Sequence, residues 1–91
     1  MSGPEEIAVD DVGNVYVAAF VSSNAFKITP AGAITEIISS SGDGQGHILE
    51  HAFGIEADVF GNVFVAGVDS NNVFRIDAAG AITQILVDCN G

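Results

Sequence analysis

The chain has 91 residues, 48% of them hydrophobic, and carries 12 acidic side chains against two basic ones, Lys27 and Arg75, for a net charge of −10. So acidic a surface repels phosphate backbones and anionic bilayers, which argues against nucleic acid and membrane partners. No apolar run approaches the ~20 residues that a membrane-spanning helix needs.

Residues 1–6 have neither the basic nor the apolar region of a secretion signal, so localisation stays unknown. Glu5 to Asp10 reads as a short strand, followed by the turn Asp10-Asp11-Val12-Gly13-Asn14, where Asp and Asn bond local backbone and Gly supplies positive φ. Val15 to Phe20, β-branched and aromatic, forms a second strand. After the polar Val21-Ser22-Ser23 loop, Asn24 to Ile28 forms a third, and Thr29-Pro30-Ala31-Gly32 is a tight turn into a fourth over residues 33–39. A Gly/Ser-rich stretch, residues 40–46, leads through His47-Ile48-Leu49-Glu50-His51-Ala52 to a restart at Phe53-Gly54-Ile55. The second copy ends its fourth strand near Val87; Cys89, the single cysteine, allows no internal disulfide and reads as a small residue near the terminus. No helical periodicity is present.

The restart is a repeat. Gly13-Asn14-Val15-Tyr16-Val17-Ala18 returns as Gly61-Asn62-Val63-Phe64-Val65-Ala66, and aligning 1–43 with 49–91 gives 17 identities in 43 positions. Two copies of one four-stranded antiparallel meander are expected: 1–43 as the first unit, 44–52 as a linker and 53–91 as the second. The strands are apolar on both faces, Val15, Tyr16, Val17 and Ala18 running together, which a sheet wetted on one side does not require. Repeated four-stranded units covered on both faces are the blades of a β-propeller, so the fold class is all-β with two blades per chain.

At these residues the chain resembles the NHL-type β-propeller repeats, in the form also seen in teneurin-like proteins. The resemblance rests on Gly42-Asp43-Gly44, Leu49, Ile7-Ala8-Val9-Asp10, the Gly-Asn-Val-Tyr/Phe-Val-Ala segment, Pro4 and Gly54, and it covers nearly the whole chain. The strand pair Ile28-Thr29-Pro30-Ala31-Gly32-Ala33-Ile34-Thr35-Glu36 is also similar to streptogramin-lyase-like propellers. That likeness implies a histidine and a magnesium ion, but neither His47 nor His51 aligns with the lyase motif, and no catalytic residue, metal ligand or cofactor is assigned. Ala19 and Gly67 stand where the NHL pattern has an aspartate.

Propellers close with about four to eight blades, and two leave apolar flanks in water. Two blades per chain permit six (a trimer) or eight (a tetramer), and the commoner six-bladed ring implied by the resemblance favours a homotrimer. Two periods make 96 residues against 91 present, which places the break between chains in the linker. An origin as a piece cut from a longer propeller leaves the same flanks.

Asp10 and Asp58 close the first strand of each copy; a carboxylate ring for a cation is one reading, an Asx-type turn the simpler one. His47 and His51 have metal-like spacing only on a helix, and this segment is a loop. Residues 43–46 read as linker. Glu36, Gln84, Lys27 and Arg75 read as solvated outer-edge positions. The linker and the loops at 21–24 and 69–72 share one polar end, so Ser22, Asn24, His47, His51, Asp69, Ser70 and Asn72 are the candidate ligand-binding residues. The leading functional expectation is a non-catalytic oligomeric propeller, an interaction, scaffold or ligand-binding module whose first partner is itself, with a small ligand or protein on the loop face. The alternatives are a propeller-type lyase or hydrolase with a metal at the channel mouth and, with few aromatic platforms, a sugar-binding propeller.

Overall fold

A computed structural model describes residues 4–87; Cys89 and the chain ends flanking the expected break lie outside the described residues. Eight strands occur in it: β1 Pro4–Val9, β2 Val15–Ala19, β3 Asn24–Ile28, β4 Ile34–Ile38, β5 Ala52–Ala57, β6 Val63–Gly67, β7 Asn72–Ile76 and β8 Ile82–Val87. They form two four-stranded antiparallel meanders, β1-β2-β3-β4 and β5-β6-β7-β8, the architecture of propeller blades. Strand bounds fall within about one residue of the punctuation in the sequence, because β-branched runs pleat well and Gly, Pro and Asx residues stop them. Even the irregularities repeat: the register shifts at Pro4/Glu6 and Ala25/Phe26 recur at Ala52/Gly54 and Val73/Phe74.

The β1–β2 and β5–β6 turns are built by one device. Asp10 Oδ1 accepts the backbone N–H groups of Val12 and Asn14, each at 3.0 Å, and Oδ2 accepts Asn14 Nδ2 at 2.8 Å. Asp58 repeats this with Phe60, Asn62 and Asn62 Nδ2, all at 2.9 Å. Gly13 and Gly61 take φ of 92° and 90°, a region costly for residues with a Cβ. Blade 1 adds one bond: Tyr16 Oη donates to Asp10 Oδ2 at 2.9 Å, which Phe64 cannot copy in blade 2. The Asn14 side chain above all, with the local N–H groups and Tyr16, holds Asp10 down to about 2 against a counteracting loss of water, and Asn62 lowers Asp58 in the same way. Burial first, and then the Asp10 carboxylate, push the Tyr16 phenol up to about 12.

The core lies between the blades. Blade 1 contributes Tyr16, Ala18, Ala25 and Ile38 from one face, and blade 2 contributes Ile55, Val63, Val65, Phe74 and Ile76 from the opposite kind of face. The sheets meet along β1, β2 and β5. They leave one cleft of about 240 Å³ between β4 and the β7–β8 turn and another of about 300 Å³ between the β1–β2 and β5–β6 turns, both bordered by Tyr16, Lys27 and Gly61.

Burial is therefore inverted between the repeats. Six positions, Ile7/Ile55, Val15/Val63, Val17/Val65, Phe26/Phe74, Ile28/Ile76 and Ile34/Ile82, carry the same residue 48 apart and share one sheet face. In blade 2 that face is the core: Ile55 is 3% exposed and Phe74 fully buried. In blade 1 it is the outer face, with Ile7 64% and Ile34 67% exposed on the edge strands and Val15, Phe26 and Ile28 half-buried, although Val17 on β2 is buried. The total surface, 4952 Å², equals the ~5,000 Å² expected for a compact chain of this mass, so the anomaly is in what is exposed and not in how much.

The depressed Asp10 carboxyl predicts a pH dependence. Its contribution is present above the ordinary value of 3.8 and is lost as pH falls toward about 2, because acid must then protonate a group the fold holds ionised. Asp10→Asn, which keeps a turn-capping oxygen but loses the acceptor for Asn14 Nδ2 and Tyr16, is expected to lower urea resistance at neutral pH. The gap from wild type is expected to shrink through that acid window.

Candidate functional site

The polar end is assembled where the linker comes down on blade 2. Leu49 is fully buried there, and its pocket exists because residue 67 is glycine: a methyl on Gly67 would overlap Ser70 Oγ and lie 2.9 Å from Asn72 Oδ1 and from Leu49 Cδ1. Ser70 Oγ accepts the Glu50 N–H at 3.0 Å and donates to Asn72 Oδ1 at 2.7 Å. Asn72, only 3% exposed, donates through Nδ2 to the Ile48 carbonyl and to Gln84 Oε1, both at 2.9 Å. A buried amide is thereby satisfied, and one side chain ties linker, β7 and β8 together.

His51 joins the two blades. Its backbone is left-handed, φ 56°, an uncommon conformation for a residue with a side chain. Its N–H donates to Ser23 Oγ of blade 1 at 2.9 Å, and its carbonyl accepts the Val68 N–H of blade 2 at 3.1 Å. The imidazole stacks on Phe20 of blade 1, centroids 4.6 Å apart and planes 18° off parallel, while Nδ1 turns to Asp69 Oδ2. Ser23, Phe20 and Asp69 thus hold one residue from both sides.

Blade 1 repeats part of this arrangement. Ser22 Oγ donates to Asn24 Oδ1 at 2.6 Å, and Asn24 Nδ2 donates to Glu36 Oε2 at 2.8 Å. Glu36 and Gln84 are therefore the outer anchors of equivalent asparagines; Glu36 is exposed, in line with its reading as a solvated position, whereas Gln84 is half-buried, a correction to that reading. Lys27 also departs from that reading, being half-buried beside the inter-blade clefts, whereas Arg75 is exposed.

The two histidines are not brought together. His47 Nδ1 lies 2.6 Å from Asp43 Oδ2, with Asp43 Oδ1 accepting the Gln45 N–H at 2.8 Å, so this pair folds the linker on itself. The burial of Asp43, its side chain 6% exposed, opposes ionisation, but His47 and the local N–H groups outweigh it and lower its pKa. Among the described residues no group of three or more His, Cys, Asp or Glu side chains converges as a metal centre would. Ser22 and Asn24 thus form one network, and His51, Asp69, Ser70 and Asn72 surround the linker in another. The partners missing from the sequence reading are Phe20, Ser23, Asp43 and the Ile48 carbonyl. Asp43 lay four residues from His47, but Ser23 and Phe20 lie 28 and 31 residues from His51, with no local signal to link them.

No family model matches the chain, and no curated protein matches it. Among solved structures it is similar to a streptogramin B lyase, with a TM-score of 0.76 at 16% identity over 91% of this chain. It is also similar to virginiamycin B lyase from Staphylococcus aureus, with a TM-score of 0.69 at 20% identity over 90% of this chain. In both cases the match covers 26% of the solved protein, so this chain spans about a quarter of their length. The likeness establishes the propeller-type fold of the two sheets.

His51 provides a graded test of the junction. Replacing it with Ala removes the stack and the partly exposed contact to Asp69 while leaving a Cβ at positive φ, an expected loss of ~1–2 kcal/mol, or roughly 4–15 °C in Tm. His51→Gly relieves the backbone and is expected to lose less. Thermal unfolding of both variants, followed by circular dichroism, checks the order.

Proposed function

We propose that this chain is a propeller building block that works by association: a non-catalytic interaction or scaffold module whose two blades, with 1–43 and 53–91 joined by the linker 44–52, complete a ring with further copies. The observation that carries it is the exposed apolar flank of each blade, Ile7, Val9 and Ile34 on one and Leu86 on the other, far more apolar than a solitary soluble sheet needs. A homotrimer with six blades is favoured over a tetramer with eight. The polar residues of the linker end support a structural role, since Ser22, Asn24, His47, His51, Asp69, Ser70 and Asn72 are all engaged with other parts of the chain. Around a ring the same end would recur with each chain and offer a small ligand or protein a polar surface of loop edges.

The likeness to two lyases favours a second reading, a propeller-type lyase or hydrolase with a metal at the channel mouth. It needs histidines from different chains to converge, because within one chain each already faces an aspartate.

Native mass spectrometry tests the first reading. Three copies of the 9.3 kDa chain are expected near 28 kDa, a tetramer would appear near 37 kDa, and a persistent single chain would remove the proposal. For the second reading, the double variant His47→Ala/His51→Ala is expected to leave bound metal unchanged. A matching loss of metal and lyase activity would instead favour the enzyme.

A further inference from the structure

We infer that the outer face of blade 1 is the docking site for the outer face of blade 2 of a second copy, so that chains join head to tail and repeat between molecules the junction already present within one. This rests on the assembly reading above and adds which surfaces meet and in what register.

The in-chain junction is the template. There, Ile55, Val63, Val65, Phe74 and Ile76 of blade 2 pack toward Tyr16, Ala18, Ala25 and Ile38 of blade 1. Blade 1 carries on its outer face Ile7, Val15, Val17, Phe26 and Ile28, the same five residue types at the same five strand positions, with Ile7 exposed, Val15, Phe26 and Ile28 half-buried and Val17 buried. Ile34 extends that free side as Ile82 extends the buried one. Blade 2 displays on its own free side Phe64, Ala66, Val73 and Leu86 where blade 1 buries Tyr16, Ala18, Ala25 and Ile38. One exposed face thus copies a buried donor surface, and the other keeps the apolar character of the surface that receives it.

The two free faces are unlike each other, which decides the symmetry. A twofold contact needs one patch to complement itself, whereas a patch that fits a different patch gives a heterologous contact that propagates until the rotation closes. The changes on the receiving side are conservative: Phe64 loses only the hydroxyl of Tyr16, and Val73 and Leu86 stand for Ala25 and Ile38. Arg75 takes the place of Lys27, so a cation would again stand beside the cleft between blades.

Half-blocked chains test this. Ile7→Glu/Ile34→Glu charges the free face of blade 1, and Phe64→Glu/Leu86→Glu charges the free face of blade 2. Each variant alone is expected to sediment as a monomer, and an equimolar mixture to give a heterodimer through the one intact pair of faces. Circular dichroism verifies the fold, and the milder pairs Ile7→Ser/Ile34→Ser and Phe64→Ser/Leu86→Ser replace any variant that unfolds. If wild type assembles but either variant dimerises with itself, or the mixture yields no heterodimer, head-to-tail pairing is overturned while assembly stands. A wild type that stays monomeric at every concentration overturns both.

Discussion

Packing of Phe74, Val65 and Ile55 against Tyr16, Ala18 and Ile38 is the contact on which the rest of the chain depends. Each four-stranded meander has an apolar face that it cannot cover by itself, and covering it against the other sheet is a stabilising burial of apolar surface. Once the two faces meet, the linker must cross from one sheet to the next, Leu49 must find a cavity, and His51 must turn left-handed between Ser23 and Val68. The polar end is thus a by-product of sheet packing, and its hydrogen bonds satisfy groups that the crossing would otherwise strand.

Much of this was legible in the sequence because it is written in local spacing. Asp10 and Asn14, like Asp58 and Asn62, are four apart and fold their own turns. Gly13 and Gly61 mark the positive φ that these turns require, and Val15 to Ala19 pleats wherever it is placed. What was not legible depends on distance along the chain. Nothing near His51 announces Ser23 or Phe20, and nothing near Asn72 announces the Ile48 carbonyl. The bonds of Glu36 and Gln84, and the partial burial of Gln84, were hidden because their partners, Asn24 and Asn72, are twelve residues away. Lys27 reads as an edge cation until the second blade forms the wall of its cleft.

The two ends of the molecule solve the same problem differently. At the turn end, each loop is self-contained, with Asp10, Asp58 and Asp77 capping their own backbone. At the linker end, local bonds such as Asp43–His47 are joined by long-range ones that tie different strands and blades together, among them Glu50–Ser70, His51–Ser23 and Asn72–Ile48. Charge follows the same division: Asp10 and Asp58 are locked into acceptor roles that keep them ionised, while His47 and His51 pair with Asp43 and Asp69 to give the linker its shape.

The hole at Gly67 sets one repeat apart from the other. Its counterpart, Ala19, carries a methyl group, so the knob that Leu49 drives into blade 2 has no socket of the same form in blade 1. The tandem copies are therefore not interchangeable cassettes. A gene shuffled to place the second unit first would present a filled socket to the connecting segment, and the duplication has acquired a direction that its matching strands conceal.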